Sequence, residues 1–229
     1  MTHLDIELQE LKAETIKMWI LVRLQLKKAK EAWLKSDKDL AREVVLNERR
    51  VNAYELKIDR DCENIFALFN PVAVDLRYVL AVLKINSNLE RIGDNAESIA
   101  KFVINVDNPF NNKLLEITRV LEMYDEATTM LDETLEAFEK EDSRLARAVF
   151  KRDEVLNEIN HNAHAIIEDY IRQNPIEMEQ CLYVLSIIRK LERVGDQSKN
   201  IAEEIIFYIE AKVLKHLYKV DKDIQAESI

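Results

Sequence analysis

The sequence is poor in the residues that make turns: its 229 residues include only two glycines and three prolines. Turns of β-sheet proteins depend on these residues, so their scarcity excludes most β architectures and favours long helices. Two cysteines, Cys62 and Cys181, show no CxxC or Cys/His metal spacing, which predicts the reduced thiols of a cytoplasmic protein. There is no signal peptide and no apolar run of about 18 residues, so direct membrane insertion is not expected.

The charge balance is acidic, with a formal net charge of −10 and a sequence pI near 5.1. Nucleic-acid binding depends on a basic surface that neutralises phosphates, so nucleic acid is excluded as a partner. The short basic cluster KKAK at residues 27–30 is predicted to be a solvated helix face.

The chain contains an internal repeat. EAWLKSDKDLAR at residues 31–42 matches EAFEKEDSRLAR at residues 136–147, an offset of 105 positions. LERIGDNAESIA at 89–100 matches LERVGDQSKNIA at 191–202, an offset of 102. The matches predict a first repeat over 1–108, a second over 109–220, and a polar tail over 221–229.

Proline positions and apolar spacing predict an all-α fold. Each proline follows an asparagine, and an Asn-Pro pair disfavours continued helix before a proline that suits a helix start. Apolar residues recur at helical spacing between these joints. Each repeat is expected to form a three-helix bundle, with a pseudo-two-fold axis between the two tandem bundles. The six predicted helices cover residues 4–35, 38–69, 72–105, 112–140, 143–173 and 176–219.

Both glycines lie inside matched acidic motifs. Gly93 stands between Glu90 and Asp94, and Gly195 stands at the equivalent place in the second motif. A glycine in a helix interior costs about 1 kcal/mol relative to alanine, so something is expected to approach closely at both positions. The approaching group is either a ligand held by carboxylates or, alternatively, the facing helix in a tight crossing that needs no ligand.

The preceding helix of each repeat has oxygen donors four residues apart, in ERRVN at 48–52 and DEVLN at 153–157. Residues four apart share a helix face, so two helices can bring four oxygen ligands together. Such a shell suits Mg²⁺, Mn²⁺ or iron, and bridging carboxylates permit more than one ion. The predicted metal ligands are Glu48, Asn52, Glu90 and Asp94 in the first repeat, and Asp153, Asn157, Glu192 and Asp196 in the second.

Catalytic patterns are scarce. Glu158 and His161 form one Glu-x-x-His unit, where ferritin-like di-iron enzymes use two. No Ser/His/Asp arrangement, phosphate loop or dinucleotide fingerprint is present. We therefore expect a protein that is not an enzyme, with a carboxylate-bridged metalloenzyme and a metal-free helical adaptor as the alternatives.

The combination of PVAVDLR at 71–77, LERIGD, and LERVGDQSKNIAEEIIFYI resembles the PhoU family over nearly the whole chain. The resemblance implies a cytoplasmic regulator of two PhoU repeats that acts between the phosphate transporter and a sensor histidine kinase. It would repress the phosphate-starvation response when phosphate is plentiful. The implied partners are the transporter ATPase and that kinase, and the family implies a homodimer.

The resemblance also implies a cofactor. Some family members bind multinuclear iron or other metal clusters through (E/D)xxxD motifs, which map to Glu90/Asp94 and Glu192/Asp196. The expected cofactor is a metal ion cluster, of iron or alternatively of manganese, zinc or magnesium. Many relatives have Asp where Glu48 stands, and some have Asp where Asn157 stands.

Overall fold

A computed structural model describes residues 2–106 and 108–214, which contain α-helices and one 3₁₀ helix but no strand. The predicted tail at 221–229 lies outside the described residues. No helix among those described is both long and apolar enough to cross a membrane. The helices are α1 (His3–Lys35), α2 (Lys38–Phe69), α3 (Ala73–Asn105), α4 (Asn112–Ile117), α5 (Val120–Lys140), α6 (Ser143–Gln173) and α7 (Met178–Glu210), with the 3₁₀ helix at Pro175–Glu177.

The described residues form seven α-helices where the sequence predicted six, because the predicted helix over 112–140 is broken. Arg119 adopts a left-handed backbone with φ of 52°, which ends α4 and starts α5. Its guanidinium group donates to Glu122 and to Glu158 at 2.7 Å, so ion pairs hold a conformation that usually requires glycine. The last helix is also shorter than predicted: α7 ends at Glu210, residues 211–214 are not helical, and residues 215–219 lie outside the described part.

Matched caps define the starts of the second helix in each repeat. Asp37 accepts hydrogen bonds from the backbone of Asp39 and Leu40 at the start of α2. Asp142, its partner in the repeat, accepts one from the backbone of Arg144 at the start of α6. These bonds satisfy amide groups that have no partner within the helix, so both connections turn at the same place.

The helices form two three-helix bundles that share one interface. α1, α2 and α3 pack together, as do α5, α6 and α7, while α3 packs on α7 and α1 on α5. Lys84 near the start of α3 pairs with Glu204 near the end of α7, at 3.0 Å. Phe102 near the end of α3 contacts Tyr183 near the start of α7. α3 and α7 are therefore antiparallel, which fits a two-fold axis perpendicular to these two helices.

The contact between α1 and α5 combines a buried aromatic core with a charged rim. Trp19 packs on Phe138 with ring centroids 5.4 Å apart, and the Tyr124 hydroxyl donates to the Leu26 carbonyl at 2.8 Å. At the rim, the KKAK cluster is not simply a solvated face. Its Lys27 pairs with Asp132 at 3.2 Å, and its Lys30 pairs with Asp125, because α5 presents an acidic surface to α1.

Candidate functional site

In the first repeat, Gly93 lies against the helix that faces it. A Cβ atom at Gly93 would lie 3.1 Å from Val51 Cγ1 and 3.2 Å from Glu48 Oε2. The missing side chain therefore makes room for an apolar group and for a carboxylate from α2. The structure shows close packing of the facing helix at this glycine, and one of the approaching groups, Glu48, is a predicted metal ligand.

The carboxylate of Glu48 is buried without a partner. Glu48 is 6% exposed, and neither of its side-chain oxygens has a hydrogen-bond partner among the described residues. Burial raises its pKa from the usual 4.5 to about 7. The next causes are the negative charges of Asp94, Glu97 and Glu90 on α3, which the charge of Lys101 partly offsets. An ionised carboxylate in this position is costly unless a cation compensates it.

More carboxylates surround this position than the sequence prediction included. Burial and then the charge of Asp59 and Asp94 raise the pKa of Glu55 on α2. Burial and then the charge of Asp94 and Glu55 raise the pKa of Glu90. Glu55, seven residues after Glu48, and Glu97, three after Asp94, were both missed, although helical spacing could have found them.

The remaining predicted ligands of the first repeat are at its surface. Asn52 and Asp94 are exposed, and Glu90 is half-buried. Two lysines provide nearby positive charge. Lys101 pairs with Glu97 at 2.6 Å, and Lys190 of α7 lies within electrostatic reach of Asp94.

In the second repeat the buried carboxylate has partners. Asp153 is 4% exposed and accepts hydrogen bonds from Lys199 Nζ at 2.8 Å and from Asn157 Nδ2 at 3.1 Å. Burial by itself lowers the pKa of Lys199, but the bond to Asp153 and the charges of Asp153, Asp196 and Glu203 raise it overall. The ammonium group of Lys199 therefore stays charged beside the acidic motif. Lys199 was absent from the sequence prediction.

The other two predicted ligands of the second repeat are half-buried. Burial and then the charge of Asp196 raise the pKa of Glu192, while Arg193 lowers it and Asp153 adds a further small rise. Thus Glu192 is within electrostatic reach of Asp153 on the facing helix. The structure brings these carboxylates near one another with an ammonium group already among them.

Gly195 has a different neighbour from Gly93. A Cβ atom at Gly195 would lie 2.4 Å from Leu156 Cδ2, and the next nearest atoms belong to Leu156 and to Met130 at 3.7 Å. Leu156 is fully buried, so this glycine makes room for core packing. At this glycine, the interpretation without a ligand is sufficient.

The donor chemistry decides how well the implied metal fits each repeat. Within the described ranges 2–106 and 108–214, no three His, Cys, Asp or Glu side chains already converge to hold a metal ion. The first repeat nevertheless suits a divalent cation, because Glu48 is a buried, unpartnered carboxylate flanked by others. The second repeat does not suit one, because Asp153 already accepts hydrogen bonds from Lys199 and Asn157 at Oδ2, and the Lys199 ammonium compensates its charge.

The one Glu-x-x-His unit does not build a di-iron site of the ferritin kind. Glu158 accepts a hydrogen bond from Arg119 at 2.7 Å, and both Glu158 and His161 are exposed. Glu158 is thus engaged at the break between α4 and α5, and the exposed pair gives the metalloenzyme alternative no support.

Together these features define a class of protein: an all-helical molecule of two three-helix repeats, each with an acidic, glycine-containing motif where its second and third helices meet. The family model for the PhoU domain matches the chain twice, over residues 15–103 and 120–205. The chain therefore belongs to the PhoU family.

Relatives of similar length support the assignment. A phosphate-specific transport system accessory protein PhoU homolog from Aquifex aeolicus is 31% identical over 94% of this chain and 97% of its own length. The accessory protein PhoU of Escherichia coli is 29% identical over 92% of this chain and 87% of its own. The crystal structure of PhoU from Pseudomonas aeruginosa superposes with a TM-score of 0.82 at 29% identity, covering 91% of this chain and 99% of that one.

Proposed function

We propose that this protein regulates phosphate uptake and represses the phosphate-starvation response when phosphate is plentiful. It would do so in the cytoplasm, by binding the ATPase of the phosphate transporter and a sensor histidine kinase, and it would act as a homodimer. The observation that supports this most is family membership across both repeats, with relatives named as accessory proteins of the phosphate-specific transport system.

The fold is suited to a regulator that works by contact. Both repeats are filled by a continuous apolar core, and most of the charged residues lie on the long outer faces of the helices. Long rigid helices present residues at fixed spacing, which is what recognition of another folded protein requires. No step of this function needs chemistry at the acidic motifs.

A metal ion would add stability and charge compensation to the first repeat. Glu48, Glu90 and Asp94, with Asn52 beside them, would hold it, and iron, manganese, zinc or magnesium would each accept these oxygen ligands. When bound, the ion supplies the positive charge that the buried Glu48 lacks. Because the ion would bind the folded state and not the unfolded state, it would also raise the free energy of unfolding.

A deletion strain tests the regulatory proposal. Removing the gene from its native host should raise alkaline phosphatase activity in phosphate-rich medium, and the wild-type gene supplied in trans should restore repression. Unchanged phosphatase activity and unchanged phosphate uptake after deletion would contradict the proposal. A strain complemented with Glu10→Gln, an exposed change on α1 outside the motifs, serves as the control and should behave as wild type.

A further inference from the structure

The two acidic motifs have opposite charges at two equivalent positions. In the alignment at offset 102, Glu97 of the first motif corresponds to Lys199 of the second. Four residues later, Lys101 corresponds to Glu203. In the second motif the lysine therefore lies one helical turn closer to the ERxGD segment than the lysine of the first motif does.

The helices that face the motifs, α2 and α6, also differ in charge, and again the first repeat is the more negative one. Glu55 on α2 corresponds to Asn160 on α6 at offset 105, so the first repeat has a carboxylate where the second has a neutral amide. The first repeat thus combines more negative charge with a buried carboxylate, Glu48, that has no hydrogen-bond partner in the part of the chain that the structure describes. The second combines less negative charge with a lysine directed at its buried carboxylate.

We propose that the ammonium group of Lys199 takes the place of a metal ion in the second repeat, so that a divalent metal binds only to the first. The claim that Lys199 replaces the metal in the second repeat depends only on the contacts of Lys199. The claim that metal binds the first repeat rests on the metal site proposed above.

The contacts of Lys199 account for this exclusion. Its Nζ lies 2.8 Å from Asp153 Oδ2, and the side chains are 30% and 6% exposed. A divalent ion at Asp153 would either lie beside this ammonium, where like charges repel, or displace it and break a largely buried ion pair. The side-chain NH₂ group of Asn157 also donates a hydrogen bond to Asp153. Asn157 therefore directs its hydrogen-bond donor toward the carboxylate, whereas a metal ligand would need to direct its oxygen there.

Removing the ammonium should therefore create a metal site. The variant Glu48→Gln eliminates the metal site of the first repeat and provides a background without bound metal. Adding Lys199→Gln frees Asp153 beside Glu192 and Asp196. We expect this double variant to bind Mn²⁺ and to rise in Tm by about 5 °C at saturating Mn²⁺, whereas Glu48→Gln alone shows no such rise.

A matched control removes another lysine from a buried carboxylate. Lys84 pairs with Glu204, which is 3% exposed, at 3.0 Å on the interface between α3 and α7, and neither residue belongs to the motifs at 89–100 and 191–202. Glu48→Gln/Lys84→Gln should remain without an Mn²⁺ response. A response of the same size in this control would show a general effect of charge and would overturn the proposal.

Elemental mass spectrometry of the Mn²⁺-loaded full-length chain completes the test. One Mn²⁺ per wild-type chain, none in Glu48→Gln, and one in the double variant would support both parts. Two Mn²⁺ ions per wild-type chain, with one lost in Asp153→Asn, would overturn the proposal without any destabilised variant.

The remaining outcomes separate the two parts. Metal in the double variant but none in the wild type would remove the site of the first repeat and retain the role of Lys199. No metal in a double variant whose circular dichroism shows intact helices would overturn the role of Lys199 while the first site stands. Loss of transcriptional repression is a separate readout, so failure of the regulatory proposal would not be confused with either result.

Discussion

The two repeats bury a carboxylate at the same place but compensate it differently. In the first, Glu48 lies beside Gly93 with no hydrogen-bond partner among the described residues. In the second, Asp153 is held by Lys199 and Asn157, and Gly195 faces Leu156. Two segments that share the pattern LERxGD thus have different electrostatics, because residues outside the shared letters differ, and one of them, Lys199, supplies the charge that Asp153 needs. Repetition of a motif does not establish that both copies perform the same chemistry.

The largest expected effect concerns the pH dependence of stability in the first repeat. The pKa of Glu48 is raised from 4.5 to about 7, so folded protein holds this proton more tightly than unfolded protein does. This bound proton stabilises the folded state fully below about pH 4.5, and the stabilisation is lost as the pH rises through 7. The free energy of unfolding should fall by roughly 3 kcal/mol over this range. In chelated protein, Glu48→Gln should therefore be more stable than wild type at about pH 8 and similar at about pH 4.5.

Urea denaturation in the presence of a chelator measures this difference. Asp153→Asn is the matched change in the second repeat and should be destabilising at about pH 8, because it leaves Lys199 without its partner. Equal effects of the two substitutions would show that the repeats do not differ in the way described.

The second prediction concerns the buried ion pair of the second repeat. Lys199→Met should lower the free energy of unfolding by about 2 kcal/mol, since it leaves the buried charge of Asp153 with only Asn157 as a donor. The cost is below that of a fully buried pair because Lys199 is 30% exposed. Lys101→Met in the first repeat removes a more exposed pair with Glu97 and should cost at most about 0.5 kcal/mol.

Chemical denaturation of both variants at neutral pH, with chelator present, tests the pair. Adding Asp153→Asn to Lys199→Met should recover a part of the loss, because the uncompensated charge is then absent. Equal costs at Lys199 and Lys101 would contradict the assignment of a special role to the buried pair.

The smallest expected effect compares the glycines. Alanine at either position gains about 1 kcal/mol of helix propensity, which close contacts oppose. At Gly195 the new Cβ would meet Leu156 at 2.4 Å in a fully buried site, so we expect net destabilisation of about 1 kcal/mol. At Gly93 the nearest atoms lie at 3.1 and 3.2 Å, and we expect almost no net change. Thermal denaturation of chelated variants measures the difference, and the reverse order would contradict it.

Much of the fold could be predicted because its signals are local. The Asn-Pro joints and the apolar spacing, on which the prediction rested, act within one or two helical turns, as do the caps that the structure shows at Asp37 and Asp142. The break at Arg119 could not be predicted, because neither glycine nor proline marks it and Glu158, one of its partners, comes from another helix. The end of α7 at Glu210 was missed for a similar reason: the helical pattern continues in the sequence beyond the point where the helix stops.

The helical class, the duplication and the positions of the glycine motifs can be read from the sequence, since these depend on residue spacing along one chain. The burial of Glu48 without a partner among the described residues, and the pairing of Asp153 with Lys199, become visible only in the folded protein. Whether a carboxylate requires a cation depends on its burial and on charges from other helices, and Lys199 lies 46 residues from Asp153 along the chain.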